Sequence, residues 1–134
     1  MTSIIDIEGI GPVYKEKLAE AGVKTTEKLL EVAGAKSGRE ELAATIGVSE
    51  ATVLEWVNRA DLMRINGVGE EFSDLLEAAG VDSPMELAQR NAENLYEKLV
   101  EVNDAKNLVN RVPSAVELAK MIDDASSLPK VVTH

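Results

Sequence analysis

Apolar residues recur along most of the chain at the three- and four-residue spacing that places them on one face of a helix. Two such stripes are Val53, Trp56, Val57 and Leu95, Leu99, Val102. No stretch alternates between apolar and polar residues for long enough to predict a strand, and the short alternation over residues 62–65 is interpreted as a helix end. The pattern therefore predicts an all-α fold with about eight or nine short helices.

The chain contains an internal repeat. Residues 7–23 match residues 65–81 at an offset of 58, and seven of the seventeen paired positions are identical. The identities fall on glycines and apolar positions, whereas the polar positions differ, so the two segments are expected to share a backbone and a core. Paired core positions include Leu18 with Leu76 and Leu29 with Leu87.

The register of the repeat shifts in its later part. Trp56 pairs with Met121 only if the offset grows from 58 to 65 residues, so the second copy has gained about seven residues. A single tryptophan in a chain with 3% aromatic residues is either a core residue or a binding hot spot. The pairing with Met121 favours the core interpretation.

The repeat predicts two units, residues 1–62 and residues 63–128, followed by a C-terminal tail, residues 129–134. The tail contains a proline and shows no helical periodicity, although Val131 and Val132 are candidates for docking onto the body of the protein. The two units are expected to pack together through their apolar faces.

Each unit opens on a glycine turn of the form apolar-x-Gly-apolar-Gly. The first glycine turn contains Gly9, Ile10 and Gly11, and the second contains Gly67, Val68 and Gly69. Glycines allow conformations and close approaches that a Cβ atom obstructs, so each turn is expected to reverse the chain tightly between two helices. Backbone N–H groups at the start of the second helix then point outward and favour an anion. Gly22 and Gly80 are predicted to be left-handed C-cap residues.

These motifs resemble the helix-hairpin-helix superfamily, and the full layout resembles the bacterial domain of unknown function 4332, in which two such units are joined in tandem. The resemblance covers residues 4–132. It implies an all-α fold in which two tandem helix-hairpin-helix units pack as one compact pseudo-twofold helical domain. In DNA-binding members of the superfamily the hairpin N–H groups bind a backbone phosphate with help from a nearby Lys or Arg, whereas other members bind only proteins.

The charge of the chain opposes general binding to nucleic acid. The net charge is −10, with ten acidic and seven basic side chains in residues 1–60 and fourteen acidic and seven basic in residues 61–134. Attachment to nucleic acid draws much of its affinity from the neutralisation of phosphates by Lys and Arg. Nucleic acid is therefore a disfavoured partner, and any basic surface is expected in the first half of the chain.

The two glycine turns differ in the charges that follow them. Lys15 and Lys17 follow the first turn, whereas Glu70, Glu71 and Asp74 follow the second. Carboxylates repel phosphate, although acidic residues in a first helical turn are also explained by a favourable interaction with the helix dipole, worth about 0.3–1 kcal/mol each. Of the two turns, the first therefore fits a phosphate contact better.

Two further motifs are interpreted as structural. Residues 42–59 have the layout of a helix-turn-helix, but the second helix offers useful donors such as Arg59 only at its far end, so it is expected to be a packing helix. Residues 34–37 echo part of a phosphate-binding loop but lack its glycines and the preceding strand. Gly34 is instead expected to end one helix, and Ser37 to cap the next.

The sequence contains no recognisable catalytic or metal-binding constellation. It has no cysteine, and its single histidine, His134, is expected to be solvated, so thiol chemistry, an imidazole triad and a multi-histidine metal site are excluded. The chain shows no secretory signal and no apolar run of about 20 residues, which favours a cytoplasmic protein with no membrane association. No cofactor, metal or small-molecule substrate is expected.

The chain is therefore predicted to be a non-catalytic binding module and not an enzyme. The leading hypothesis is recognition of a protein partner or of a second copy in a homo-oligomer, with contacts at both glycine turns. The alternative is DNA binding through backbone amides of the first turn, with Gly9, Gly11, Lys15 and Lys17 along one phosphate path.

Overall fold

The structure, a computed structural model, describes residues 3–133, and the expectation for His134 lies outside this range. Within it the fold is all-α, with eight α-helices, one 3-10 helix over Ile4–Asp6 and no strand beyond an isolated bridge between Ser3 and Thr25. The helices are α1 (Pro12–Glu20), α2 (Thr26–Ala33), α3 (Lys36–Ile46), α4 (Glu50–Leu62), α5 (Glu70–Ala78), α6 (Pro84–Ala88), α7 (Ala92–Lys106) and α8 (Ala115–Ser126). The predicted all-α fold is confirmed for these residues, and none of their helices is long and apolar enough to cross a membrane.

Local sequence signals account for several helix starts. The side chains of Thr25, Ser83, Asn91 and Ser114 each accept a hydrogen bond from the backbone amide three residues later. Each bond satisfies an N–H group that has no partner inside the helix. In α8 the side chain of Glu117 also reaches back to the cap residue and completes a capping box. These caps determine where α2, α6, α7 and α8 begin.

Left-handed glycines follow three of the helices. Gly22 and Gly80 come after α1 and α5 with φ angles of +87° and +90°, which confirms the predicted left-handed conformation. The C-cap positions themselves belong to Ala21 and Ala79, one residue earlier. Gly47 ends α3 with a φ angle of +87°. The chain therefore leaves these helices through a conformation that favours glycine.

The junction between α2 and α3 differs from the prediction. Gly34 ends α2 as expected, but α3 begins one residue before Ser37, which therefore lies inside the first helical turn. The predicted cap at Ser37 is wrong, and the cap position belongs to Ala35, whose side chain makes no capping hydrogen bond. The two helices approach so closely just after this junction that a Cβ atom on Gly38 would collide with the carbonyl oxygen of Val32.

By its internal contacts the chain divides into two units. Among the described residues the first unit consists of residues 3–61 and 130–133, and the second of residues 62–129. In the first unit α1 and α2 both pack on α3; in the second, α5 packs on α7, and α6 and α7 pack on α8. The segment that the sequence predicted to be a separate tail thus includes residues of the first unit. Within it Val132 is buried, whereas Val131 is 37% exposed.

The buried positions repeat between the units. Pairs at an offset of 58 that are at most 1% exposed are Ile4 with Leu62, Ile7 with Ile65, Leu18 with Leu76, Val23 with Val81, and Leu29 with Leu87. Buried pairs at an offset of 65 are Val53 with Leu118, Trp56 with Met121, and Ala60 with Ala125. The core interpretation of Trp56, which is 2% exposed, is confirmed. The additional residues of the second copy lie in the longer α7 and in residues 107–114, which correspond to residues 47–49 of the first.

Candidate functional site

The two glycine turns fold in the same way. In the first turn the amide of Ile10 donates to the carbonyl oxygen of Ile7 over 3.1 Å, and in the second the amide of Val68 donates to the carbonyl oxygen of Ile65 over 3.1 Å. The second glycine of each turn then accepts a bond of 2.9 Å from the amide four residues later, inside α1 or α5. The repeat found in the sequence is therefore a repeat of backbone hydrogen bonds.

The backbone conformation requires a glycine only at the first of the two glycine positions in each turn. Gly9 and Gly67 have φ angles of +93° and +90°, in the left-handed region that other residues rarely adopt. Gly11 and Gly69 are the N-cap residues of α1 and α5, with φ angles of −90° and −111°, and a Cβ atom on either would meet nothing within 4 Å. The two glycines of a turn therefore have different roles.

Alanine substitutions test this difference. Gly9→Ala and Gly67→Ala are each expected to lower the free energy of unfolding by about 1–2 kcal/mol, because alanine is strained in the left-handed region. Gly11→Ala and Gly69→Ala are the matched controls and are expected to cost less, about 0.5 kcal/mol, because alanine is a poorer N-cap residue than glycine but is not strained at these φ angles and loses less entropy on folding. Urea unfolding followed by far-UV circular dichroism measures all four variants. Equal losses at both glycines of a turn would contradict the assigned roles.

The last helix of each unit lies against its glycine turn. A Cβ atom on Gly9 would be 3.4 Å from Nε1 of Trp56, and a Cβ atom on Gly67 would be 3.0 Å from Cε of Met121. The two large side chains thus occupy the same place beside the turn, which confirms the pairing predicted from the sequence. Tyr14 extends this contact in the first unit, with its ring centroid 5.4 Å from that of Trp56.

A polar side chain three residues further along the same helix binds the turn, with opposite charge in the two units. Nη1 of Arg59 donates to the carbonyl oxygen of Glu8 over 3.3 Å, whereas Oδ2 of Asp124 accepts from the amide of Asn66 over 2.9 Å. These positions correspond at the offsets of 65 and 58 residues. Arg59 was predicted only as a donor of a helix-turn-helix, and Asp124 was not predicted to contact the second turn, although the offset pairs the two residues.

The structure does not bring Lys15 and Lys17 onto one face of α1. Both side chains are exposed, but residues two apart on an α-helix point in directions roughly 200° apart. Nζ of Lys17 lies 5.9 Å from the ring centroid of Tyr14, one helical turn back. Arg59 is the basic side chain that contacts the first turn directly. Lys15 and Lys17 therefore do not lie along one phosphate path, as the DNA-binding hypothesis requires.

The first residues of the following helix determine what each turn presents to solvent. In α1 these residues are Pro12, which has no backbone N–H group, and Val13, which is 66% exposed. In α5 they are Glu70 and Glu71, both exposed. The first turn therefore offers one amide fewer and an apolar side chain, and the second offers carboxylates.

A groove of about 520 Å³ lies beside the second turn, between the start of α5 and residues 109–113. Its cation, Arg111, is paired with Glu117 of α8 through two hydrogen bonds of 2.9 Å each. The bonds from Arg111, together with one from the amide of Ser114, lower the pKa of Glu117 to about 2. The positive charge in the groove is therefore balanced by a carboxylate within the same unit.

Residues 8–128 match the family described as a domain of unknown function (DUF4332), and the match includes both glycine turns and all eight α-helices. No curated protein matches the chain significantly, and no solved structure does. The family match extends over most of the 134 residues. The chain therefore belongs to the DUF4332 family.

Proposed function

We propose that this protein is a non-catalytic binding module that recognises a protein partner or a second copy of itself through its glycine turns. In this proposal the two units are tandem helix-hairpin-helix units arranged about a pseudo-twofold axis, and each glycine turn is one hairpin. The matching hydrogen bonds of the two turns support the repeated unit. The matching positions of Trp56 and Met121 support it as well.

The observation that carries the proposal is the surface formed by the first residues of the helix after each glycine turn, which we call the mouth of the turn. A phosphate site at a helix start requires outward N–H groups and gains from a nearby cation. The first turn instead presents Pro12 and the exposed Val13, and the second presents Glu70 and Glu71. A proline removes one of the amides that a phosphate would use, and carboxylates repel it, so neither surface is suited to a phosphate. With a net charge of −10, these mouths favour a protein over a nucleic acid.

The groove beside the second turn makes the surface there concave. Phe72, Val109 and Pro113 are among the residues that line it and are themselves buried, while Glu71 is exposed at its edge. An apolar floor with a charged rim is the usual anatomy of a site that binds a protein segment. The groove therefore supports the second turn as a contact surface.

DNA binding at the first turn is the second candidate function. The observation that favours it is the contact of Arg59 with the carbonyl oxygen of Glu8, which places a cation beside the turn. Lys15 and Lys17 add two exposed positive charges on α1. Under this candidate the backbone amides at the start of α1 bind one phosphate.

Substitutions at the mouths of the turns test the proposed function. A partner identified by cross-linking, once purified, should bind the chain with a dissociation constant that Val13→Asp or Glu71→Lys raises at least about tenfold. Sedimentation of the same variants measures self-association. Glu101→Lys, on the exposed surface of α7, is the control and should change neither measurement. Partner binding and self-association that are both insensitive to Val13→Asp and Glu71→Lys would overturn the proposal.

Titration of labelled duplex and single-stranded DNA, at low and moderate salt, separates the two candidates. The proposed function predicts no salt-dependent binding by the wild-type chain. Micromolar binding that weakens with salt and is lost in the Lys15→Glu, Lys17→Glu double variant would establish the DNA candidate instead. The control is the Lys98→Glu, Lys106→Glu double variant, which makes the same charge change on exposed positions of α7.

A further inference from the structure

Arg39 is a buried cation that holds backbone carbonyl groups. It lies on α3 and is 4% exposed, and its Nη1 donates to the carbonyl oxygens of Gly34 over 2.7 Å and Ala33 over 3.2 Å, at the end of α2. A positive charge at this end of a helix is favourable. Its Nη2 donates to the carbonyl oxygen of Thr133 over 2.6 Å, across 94 positions of sequence. Arg39 therefore joins α2 and α3 to the C-terminal segment, residues 130–133.

Arg39 and Gly34 together form a seat for this segment. The amide of Thr133 donates to the carbonyl oxygen of Gly34 over 2.8 Å, so both backbone groups of Thr133 are bound. The neighbouring Val132 is 6% exposed. A Cβ atom on Gly34 would collide with the backbone of the segment, so only glycine leaves room for it. The seat therefore recognises an extended segment through its backbone and one buried apolar side chain.

The C-terminal segment is joined to the second unit by a short connection. α8 ends at Ser126, and Pro129 and Lys130 are both exposed. The groups that make the hydrogen bonds of the seat belong to the first unit, whereas the chain that precedes the segment belongs to the second. A segment that is bound by one unit and connected to another is suited to exchange between identical chains.

We propose that the seat also accepts the C-terminal segment of a second copy, so that two chains associate by exchanging residues 130–133. The exchanged segment makes the same hydrogen bonds and buries the same Val132, so no new interface is required. A second copy is favoured over another partner because its segment already matches the seat in both backbone and side chain. The inference goes beyond the proposed function, because it uses the seat and not the glycine turns.

Shortening the connection tests the exchange. Deletion of Pro129 and Lys130, neither of which makes a hydrogen bond of the seat, shortens the chain between α8 and Val132 by about 7 Å. We expect this to keep residues 131–133 from the seat of their own chain. Size-exclusion chromatography with light scattering should show a dimer fraction at least about tenfold above that of the wild-type chain. Adding Arg39→Met to the shortened chain should restore the monomer. A monomeric shortened chain, or a dimer that persists with Arg39→Met, would overturn the proposal.

Two full-length variants give a test that does not depend on the folding of a deletion. Arg39→Met disables the seat and Val132→Asp disables the segment, so only a mixed dimer pairs an intact seat with an intact segment. In an equimolar mixture, native mass spectrometry should show mixed dimer well above twice the amount of either homodimer, which is the ratio that random pairing gives. Circular dichroism verifies that each variant is folded. A mixture without excess mixed dimer contradicts the exchange.

Control variants separate this inference from the proposed function. Lys36→Met removes a positive charge from an exposed position on α3 and, used in place of Arg39→Met, should give no excess of mixed dimer. Val13→Asp, which tests the glycine turns, should leave the exchange unchanged. Loss of exchange in Val13→Asp would show that association depends on the turns and not on the seat.

Discussion

Trp56→Ala is expected to lower the free energy of unfolding by about 3–5 kcal/mol. Trp56 is 2% exposed, packs against the ring of Tyr14 and lies beside Gly9 of the first turn. Removing the indole leaves a cavity between α4 and the turn, and the backbone hydrogen bonds of the turn prevent its neighbours from filling it. Urea unfolding should be followed by far-UV circular dichroism, because the substitution removes the only tryptophan.

The controls for this variant lie on the same helix and in the second unit. Glu55→Ala changes an exposed side chain of α4 and is expected to alter the free energy of unfolding by less than about 0.5 kcal/mol. Met121→Ala removes the smaller counterpart, which is 9% exposed, and is expected to cost about 2–3 kcal/mol. A loss in Trp56→Ala no larger than that in Met121→Ala would contradict the larger packing role given to Trp56.

Arg39→Met is expected to lower the free energy of unfolding by about 3 kcal/mol, since hydrogen bonds to a charged group each contribute about 1.5–3 kcal/mol and buried carbonyl groups lose their donor. The methionine retains most of the aliphatic volume, so the loss reports mainly on the bonds to Ala33, Gly34 and Thr133. Because small domains have stabilities of about 5–15 kcal/mol, the variant should remain folded.

Hydrogen exchange locates the effect of Arg39→Met. The amide of Thr133 donates to Gly34 in the seat, so its protection should fall more than that of amides in the second unit. Lys36→Met is the matched control, because it removes a positive charge from an exposed position of the same helix and should leave the free energy of unfolding nearly unchanged. A similar loss in both variants would mean that charge on α3, and not the seat, is responsible.

Much of the fold follows from local signals in the sequence. Thr25 and Asn91 cap α2 and α7 through hydrogen bonds to amides three residues later, and Gly22 and Gly80 adopt the predicted left-handed conformation. These features depend on residues within about one helical turn of each other, which is the range over which a sequence can be interpreted directly. The internal repeat extends this range, because it predicts the equivalent places of two distant helices.

The features that were missed depend on contacts between distant residues. Arg39 resembles any arginine of an amphipathic helix, and nothing near it in the sequence indicates a bond to Thr133, 94 positions away. The cap predicted at Ser37 is wrong because α3 begins at Lys36, at a junction where Gly38 of α3 closely approaches Val32 of α2. In both cases tertiary packing overrides a local preference that is otherwise reasonable.

The candidate site was predicted in part. The glycines of both turns were identified because their spacing has a mechanical meaning, and the structure gives the two turns the same hydrogen bonds. The charges around the turns were harder to predict, because Lys15 and Lys17 are close in sequence but point apart on α1, whereas Arg59 is distant in sequence and contacts the first turn. A charge count along the chain therefore says little about which side chains share a surface.

The discontinuous first unit has a consequence for synthesis on the ribosome. Residues 62–129 are continuous, so the second unit has all its parts as soon as its own residues have emerged. The first unit emerges earlier, but its seat stays empty until Thr133 has been translated. The half of the protein that is made first is therefore completed last. Until then Nη2 of Arg39 and one acceptor position on the carbonyl oxygen of Gly34 are open to chaperones and to other nascent chains.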